Sequence, residues 1–468
     1  MKITTETFDL DYWKKRLDEL RKIYNVPGAS LAVLVDGEIK ALACGLLHQG
    51  TGVEATTDSL FQIGSISKVY TAVLVMQLVD SGELDLDASV KDVLPELTVP
   101  GTDAITIRQL LFHSSGLTSD FTIDTGRGDD CLARYIEACN GLRLESSPGT
   151  VVSYSSVGYN VLGRIVEVVT NQTWDDALRD RILVPLELVG TVTLPEEVLR
   201  FRAAMGHLAG GVGQIPEPAP FWNLLPRSSG PSGGALCATA ADLIRFAKMH
   251  LNGGLAPDNT RLLTSKSVAA MQRLAAETPD KWTSGNIGWG LGWMIYDWNG
   301  VPVFGHDGAT IGQNGYLRIV PGSGAAIALL TNGGSTDLLQ SILFRELFEE
   351  IAGMRIPDAT FEPAPQPPMV DITPFVGIYK REGVVITITE HNGILHLVYE
   401  ISDGRKDPSP PLEMELIPVS ETVFAGGIDG QDRIPVVFST LTDGSVYCYI
   451  GMRAAPKITL SGQSAEVN

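Results

Sequence analysis

Ser65-Ile66-Ser67-Lys68 is the one Ser-x-x-Lys in the chain, set where a turn closing on Gly64 runs into the apolar stretch Val69-Tyr70-Thr71-Ala72-Val73-Leu74-Val75-Met76. The pattern predicts a helix starting at Ser65, with Lys68 one turn on and over the same face. A hydroxyl there points into the positive end of the helix dipole, and a nearby amine can take its proton, which turns a weak nucleophile into a strong one. The plain alternative is that Ser65 only caps the helix, as serine commonly does. A second candidate is Tyr154, in Ser153-Tyr154-Ser155-Ser156, just before Gly158-Tyr159-Asn160-Val161-Leu162-Gly163 opens another helix. Holding a phenol ionised at pH 7 costs roughly 4 kcal/mol, and a lysine cation within a few ångströms offsets much of that. Ser65, Lys68 and Tyr154 thus read as one mutually tuned unit in which either Lys68 or Tyr154 is the base. The third element is Phe304-Gly305-His306-Asp307-Gly308-Ala309, at the end of a β run. A glycine-flanked strand lets backbone approach a substrate closely. The Ala309 N–H can then pair with that of Ser65 as an oxyanion hole, one such donor being worth about 3–4 kcal/mol. His48-Gln49-Gly50 and His391-Asn392-Gly393 share the His-x-Gly pattern, but both fall at hairpin turns. This chemistry asks for no cofactor and no metal.

The elements that must hold these residues follow from periodicity. Trp13, Leu17, Leu20 and Tyr24 recur at helical spacing. Two apolar runs, 29–35 and 38–43, meet across Asp36-Gly37, a strong hairpin signal. Residues 61–184 read as mostly helical, with turns at Ser81-Gly82, Pro100-Gly101 and Pro148-Gly149 and a helix cap at Thr106. Residues 206–234 read as a long Gly/Pro-rich loop, with Phe221, Trp222 and Arg227 forming a wall of the pocket. Thr239-Ala240-Ala241-Asp242 then starts a helix. Strand character returns over 291–330. The expected fold is α/β (α+β): one antiparallel sheet built from both chain ends, with a helical subdomain packed on it. The domain spans 1–356, followed by a proline-rich linker at 357–370. Beyond it, 371–468 shows short strands with turn signals, a small all-β barrel or sandwich.

Composition sets outer limits. The 468 residues carry 44% hydrophobic and 19% charged side chains, ordinary for a globular chain of two or more domains. A net charge of −20 argues against nucleic acid and anionic membrane surfaces as partners. The five cysteines are scattered without Cys-x-x-Cys spacing and read as reduced small hydrophobes. No run approaches the roughly 18 apolar residues of a membrane span, and the first residues lack the apolar core of a signal peptide, so a cytoplasmic location is expected. Oligomeric state is left open.

Taken together, Ser65-x-x-Lys68, the Tyr154 motif and the late His306-Asp307-Gly308 strand resemble the fingerprint of the penicillin-recognising serine hydrolases. The branch is that of class C β-lactamases, D-aminopeptidases and family VIII esterases. Leu111-Phe112-His113-Ser114-Ser115-Gly116-Leu117 and Gly290-Leu291-Gly292-Trp293 support it, over roughly residues 10–355. The part with Phe375-Val376-Gly377-Ile378-Tyr379 resembles the lipocalin-like domain often appended to these enzymes. The resemblance implies that Ser65 is acylated, that Lys68 and Tyr154 form the acid–base pair, and that Ser65 and Ala309 supply oxyanion amides. It also places Ser156, His306 and Gly308 against the substrate.

Two departures bear on substrate choice. The family's Tyr-x-Asn is Tyr154-Ser155-Ser156 here, and its Lys-Thr-Gly is His306-Asp307-Gly308. A hydroxyl replaces an amide, and a mostly neutral imidazole replaces a lysine that attracts a substrate carboxylate. Both favour small esters, amides or peptides over β-lactams. Acyl transfer by the same three residues and a catalytically silent scaffold are the alternatives. A formal Gly-x-Ser-x-Gly at 230–234 lacks the preceding strand that a nucleophile elbow needs.

Overall fold

The computed structural model describes residues 7–209, 214–223, 225–234, 236–357, 361–401, 410–427 and 433–458. An N-terminal helix α1 (Leu10–Ile23) leads into strands β1 (Gly28–Val35) and β2 (Glu38–His48). These pair across Asp36-Gly37, whose φ values of 49° and 81° make the turn that suits hairpin twist. Helices α2 (Ser67–Asp80), α3 (Ser156–Thr170) and α4 (Ala240–Leu251) follow. The chain then returns as β3 (Met294–Trp298), β4 (Val301–Ala309), β5 (Asn314–Val320) and β6 (Ala325–Thr331), and α5 (Thr336–Ala352) ends the first unit.

Antiparallel β1 and β6 join the two ends of this unit, with Leu31 opposite Leu329. The nine-stranded sheet runs Val53–Glu54, β2, β1, β6, β5, β4, β3, Gly288–Trp289, Ala276–Glu277. Every residue of β1 is buried because both faces are covered. Leu31 and Val33 pack with Trp13 and Leu17 of α1 and Leu343 and Phe344 of α5. Ala32 and Leu34 face the other core, with Phe246 of α4 and the length of α2. Apolar all round, α2 is buried continuously from Ser67 to Met76, as a central helix must be.

The helical subdomain is less helical than its sequence suggests. Residues 113–130 and 141–155 run irregularly around the short helices Ile107–Leu111 and Cys131–Cys139. Their Ser, Thr, Asp and Gly residues compete for backbone hydrogen bonds and so favour turns. Thr106 does cap its helix, in a reciprocal box with Gln109.

After Pro-rich residues 361–370, which carry no regular element, eight antiparallel strands follow one another from Gly377–Arg381 to Arg453–Pro456. First and last meet at Tyr379 and Lys457, closing most of a barrel around Phe375, Phe424 and Phe438. Linker residues 358–360 and the end of the chain, 459–468, lie outside the described residues.

Candidate active site

Gly64–Ile66 form a single 3-10 turn that runs into α2. The capping positions fall on Ile63 and Ile66, which leaves the Ser65 hydroxyl to other partners. Three glycines make room around this turn. A Cβ on Gly308 would lie 1.9 Å from the Ile63 carbonyl oxygen and 2.8 Å from the Ser65 nitrogen. One on Gly233 would lie 2.9 Å from the same nitrogen, and one on Gly64 would lie 2.6 Å from the Ala309 nitrogen. The end of β4 therefore presses directly on the Ser65 turn, and the Ser65 and Ala309 amides share one wall.

Lys68 is wholly buried. Its Nζ donates to the Ser65 hydroxyl at 3.2 Å, to the Ser156 hydroxyl at 3.5 Å and to the Ser232 carbonyl at 2.6 Å. Burial draws its pKa down to about 7; the negative Asp120 opposes the shift and the positive Arg453 adds to it. Tyr154 is 5% exposed, and Nζ stands 4.6 Å from its ring centre. Burial pushes the phenol well above its ordinary value, while a hydrogen bond with Ser65 and the charge of Arg453 pull it back. Near neutrality the phenol keeps its proton and Lys68 is at its titration point.

The fold thus brings Ser65, Lys68, Tyr154, Ser156, Gly308 and Ala309 to one place. His306 joins them only as an enclosed neighbour. It is 1% exposed, its Nδ1–H donates to the Asp307 carbonyl at 2.6 Å, and its ring centre lies 6.3 Å from that of Tyr154 and 5.8 Å from that of Trp289. Burial, helped by Lys68, pulls its pKa down to about 3, so the ring is neutral. Asp307 binds buried Arg318 through both oxygens, fixing β4 to β5.

Several groups at the site carry no sequence signal. The Ser232 carbonyl belongs to a buried 3-10 segment, Arg227–Ser232, and the Ser232 hydroxyl donates to Ser229. No strand leads into it, so the Gly-x-Ser-x-Gly is not an elbow. Arg227 is tied to Asp175 and Asp129, Trp222 donates to the Ala204 carbonyl, and Phe221 is 57% exposed. Residues 210–213 and 224 of the expected pocket wall lie outside the described residues. The C-terminal barrel sends a turn into the site. Arg453 stands 5.2 Å from the Tyr154 ring and donates to Asp120 at 2.6 Å, while the Met452 carbonyl accepts from the Tyr154 N–H at 3.0 Å. An Arg opening a barrel strand looks ordinary in sequence; only the docked barrel gives it a place here.

Residues 13–347 match the protein-family model described as Beta-lactamase. The chain belongs to the beta-lactamase family. Penicillin-binding protein 4 of Amycolatopsis lactamdurans is 56% identical over 379 residues, covering 80% of this chain and 99% of that protein. Among solved structures, SurE superposes with a TM-score of 0.78 at 28% identity, over 96% of this chain and 98% of its own, and it has also been solved with D-Leu. The octameric penicillin-binding protein homologue of Pyrococcus abyssi has a TM-score of 0.64 at 21% identity, covering 96% of this chain and all of its own (100%), a likeness of fold alone. The family makes this chain a serine hydrolase. Among the described residues no helix is long and apolar enough to cross a membrane. All five cysteines are buried and none forms a disulfide.

Proposed function

We propose that this hydrolase works through an acyl-enzyme on Ser65, with an ester or amide as substrate and a D-amino-acid residue in the acyl part. The observation that carries the reading is the buried Lys68 amine, 3.2 Å from the Ser65 hydroxyl. Neutral Lys68 takes the Ser65 proton as the oxygen attacks the carbonyl carbon. The Ser65 and Ala309 N–H groups receive the negative oxygen. Lys68, directly or through the Tyr154 hydroxyl, returns the proton to the leaving group. Water then enters by the same route in reverse and frees the acid. Support for the D-amino-acid part is the likeness to SurE, a structure that holds D-Leu.

Enclosed, neutral His306 offers no cation to a β-lactam carboxylate, and Ser156 offers a hydroxyl in place of an amide. A lost charge-assisted hydrogen bond is worth roughly 1.5–3 kcal/mol, about ten- to a hundredfold in discrimination. The test is intact-mass detection of the acyl-enzyme, with kcat/KM, across p-nitrophenyl esters, D-amino-acid amides, a penicillin and a chromogenic cephalosporin. Esters or D-amides should lead, and Ser65→Ala should abolish both adduct and turnover. A cephalosporin ahead of both, or activity surviving in Ser65→Ala, overturns the reading.

A further inference from the structure

The sequence stretch Leu111-Phe112-His113-Ser114-Ser115-Gly116 has no part in the steps above, yet its histidine is drawn into the site. His113 is 2% exposed and adopts φ 62°, the left-handed region, where few non-glycine residues sit. From that conformation it holds the chain on both sides of Tyr154. Its carbonyl accepts from the Ser153 N–H at 2.8 Å, and its ring Nδ1 accepts from the Ser155 N–H at 3.1 Å. Its ring centre lies 4.6 Å from that of Tyr154 and stands edge-to-face with Trp289 at 4.3 Å. Because Nδ1 must accept, the ring proton is on Nε2, which is buried with no hydrogen-bond partner among the described residues.

We infer that His113 is a positioning residue: by gripping the backbone before and after Tyr154 it aims the phenol at Ser65 and Lys68. The inference rests on the acyl-enzyme reading above. A left-handed backbone is what lets one residue present both its carbonyl and its side-chain acceptor to amides two positions apart. Buried polar nitrogens need a partner, and the His113 acceptor finds its own on the residue next to Tyr154. Misplacing a reacting group by about 1 Å can cost on the order of a hundredfold in rate.

Three variants separate placement from mere stability. His113→Gly keeps the left-handed backbone but loses acceptor and ring. His113→Asn tolerates the same φ and puts an amide oxygen where Nδ1 was. His113→Gln carries its oxygen one atom too far. With a p-nitrophenyl ester, Gly and Gln variants should lose on the order of a hundredfold in kcat with KM within about threefold. The Asn variant should recover to within about tenfold of the parent at a similar Tm. In a Tyr154→Phe background, His113→Gly should change kcat by less than about threefold, because groups acting as one unit do not multiply. Full activity in the Gly variant, no rescue by Asn at matched Tm, or multiplicative losses with Tyr154→Phe overturns the inference. If Ser65→Ala stays active, the acyl-enzyme reading itself has failed; if it is dead while the His113 variants are unaffected, only this inference has.

Discussion

Lys68→Met tests the central electrostatic claim from two directions. Free lysine at pH 7 is neutral in only about one molecule in 3,000, whereas a pKa of about 7 makes about half of the amines available as base. That gain of about a thousandfold has a thermodynamic counterpart. The fall from 10.5 to about 7 is worth about 5 kcal/mol, at 1.36 kcal/mol per pH unit. The sign is that of a cation whose folded pKa is depressed. The penalty is absent above pH 10.5, grows as pH falls, and is complete below about 7, where the folded protein must bury a charge. Methionine fills a similar volume without the charge but leaves the Ser232 carbonyl without its donor, a cost of about 1–3 kcal/mol. Lys68→Met should therefore be more stable than the parent by about 2–4 kcal/mol at pH 6, several degrees in Tm, and should lose that advantage towards pH 10. The assays are thermal unfolding from pH 6 to 10 and single-turnover labelling of Ser65 by a fluorophosphonate over the same range. Labelling of the parent should rise with pH to a plateau with a midpoint near 7, and Lys68→Met should not label. A labelling rate flat in pH, or a methionine variant no more stable at pH 6 than at pH 10 relative to the parent, refutes a buried, titrating Lys68 as the base.

Asp120→Asn removes the charge that supports protonated Lys68, so the labelling midpoint should move to lower pH; Arg453→Met should move it higher, and unchanged midpoints contradict the assignment. Gly308→Ala puts a methyl 1.9 Å from the Ile63 carbonyl oxygen and should cost at least about a hundredfold in acylation rate; a variant within threefold of the parent shows that this approach is not tight. His250, buried among Phe246, Trp293 and Phe304, has its pKa pulled down to about 3 by burial alone, so it resists a proton that the unfolded chain accepts below about 6.5. Relative to the parent, His250→Leu should therefore gain about 2 kcal/mol between pH 6.5 and 5 in denaturant unfolding, and a difference independent of pH refutes it.

What the sequence determined is whatever is written in local spacing. Lys68 follows Ser65 by one helical turn, so their meeting needs only that α2 form, and an apolar run from Val69 to Met76 leaves it little choice. The Asp36-Gly37 hairpin, the Thr106 cap and the short strands after the proline-rich stretch are local in the same way. The glycines of the 305–308 strand were legible as a place of close approach, but the approach expected was to substrate, and that of Gly308 to the Ser65 turn was not legible.

Tertiary structure decided the rest, because it depends on which distant segments share a low-dielectric interior. Tyr154 and Lys68 both looked able to serve as base; burial separates them, raising the phenol and lowering the amine. The resemblance placed His306 against the substrate, but the Tyr154 and Trp289 rings packed beside it leave it enclosed. The Ser232 carbonyl, the His113 grip on residues 153 and 155, and Arg453 arriving from the barrel leave no pattern along the chain. A backbone oxygen has no residue identity, and a partner hundreds of positions away has no period, so neither can be read until the fold has placed them.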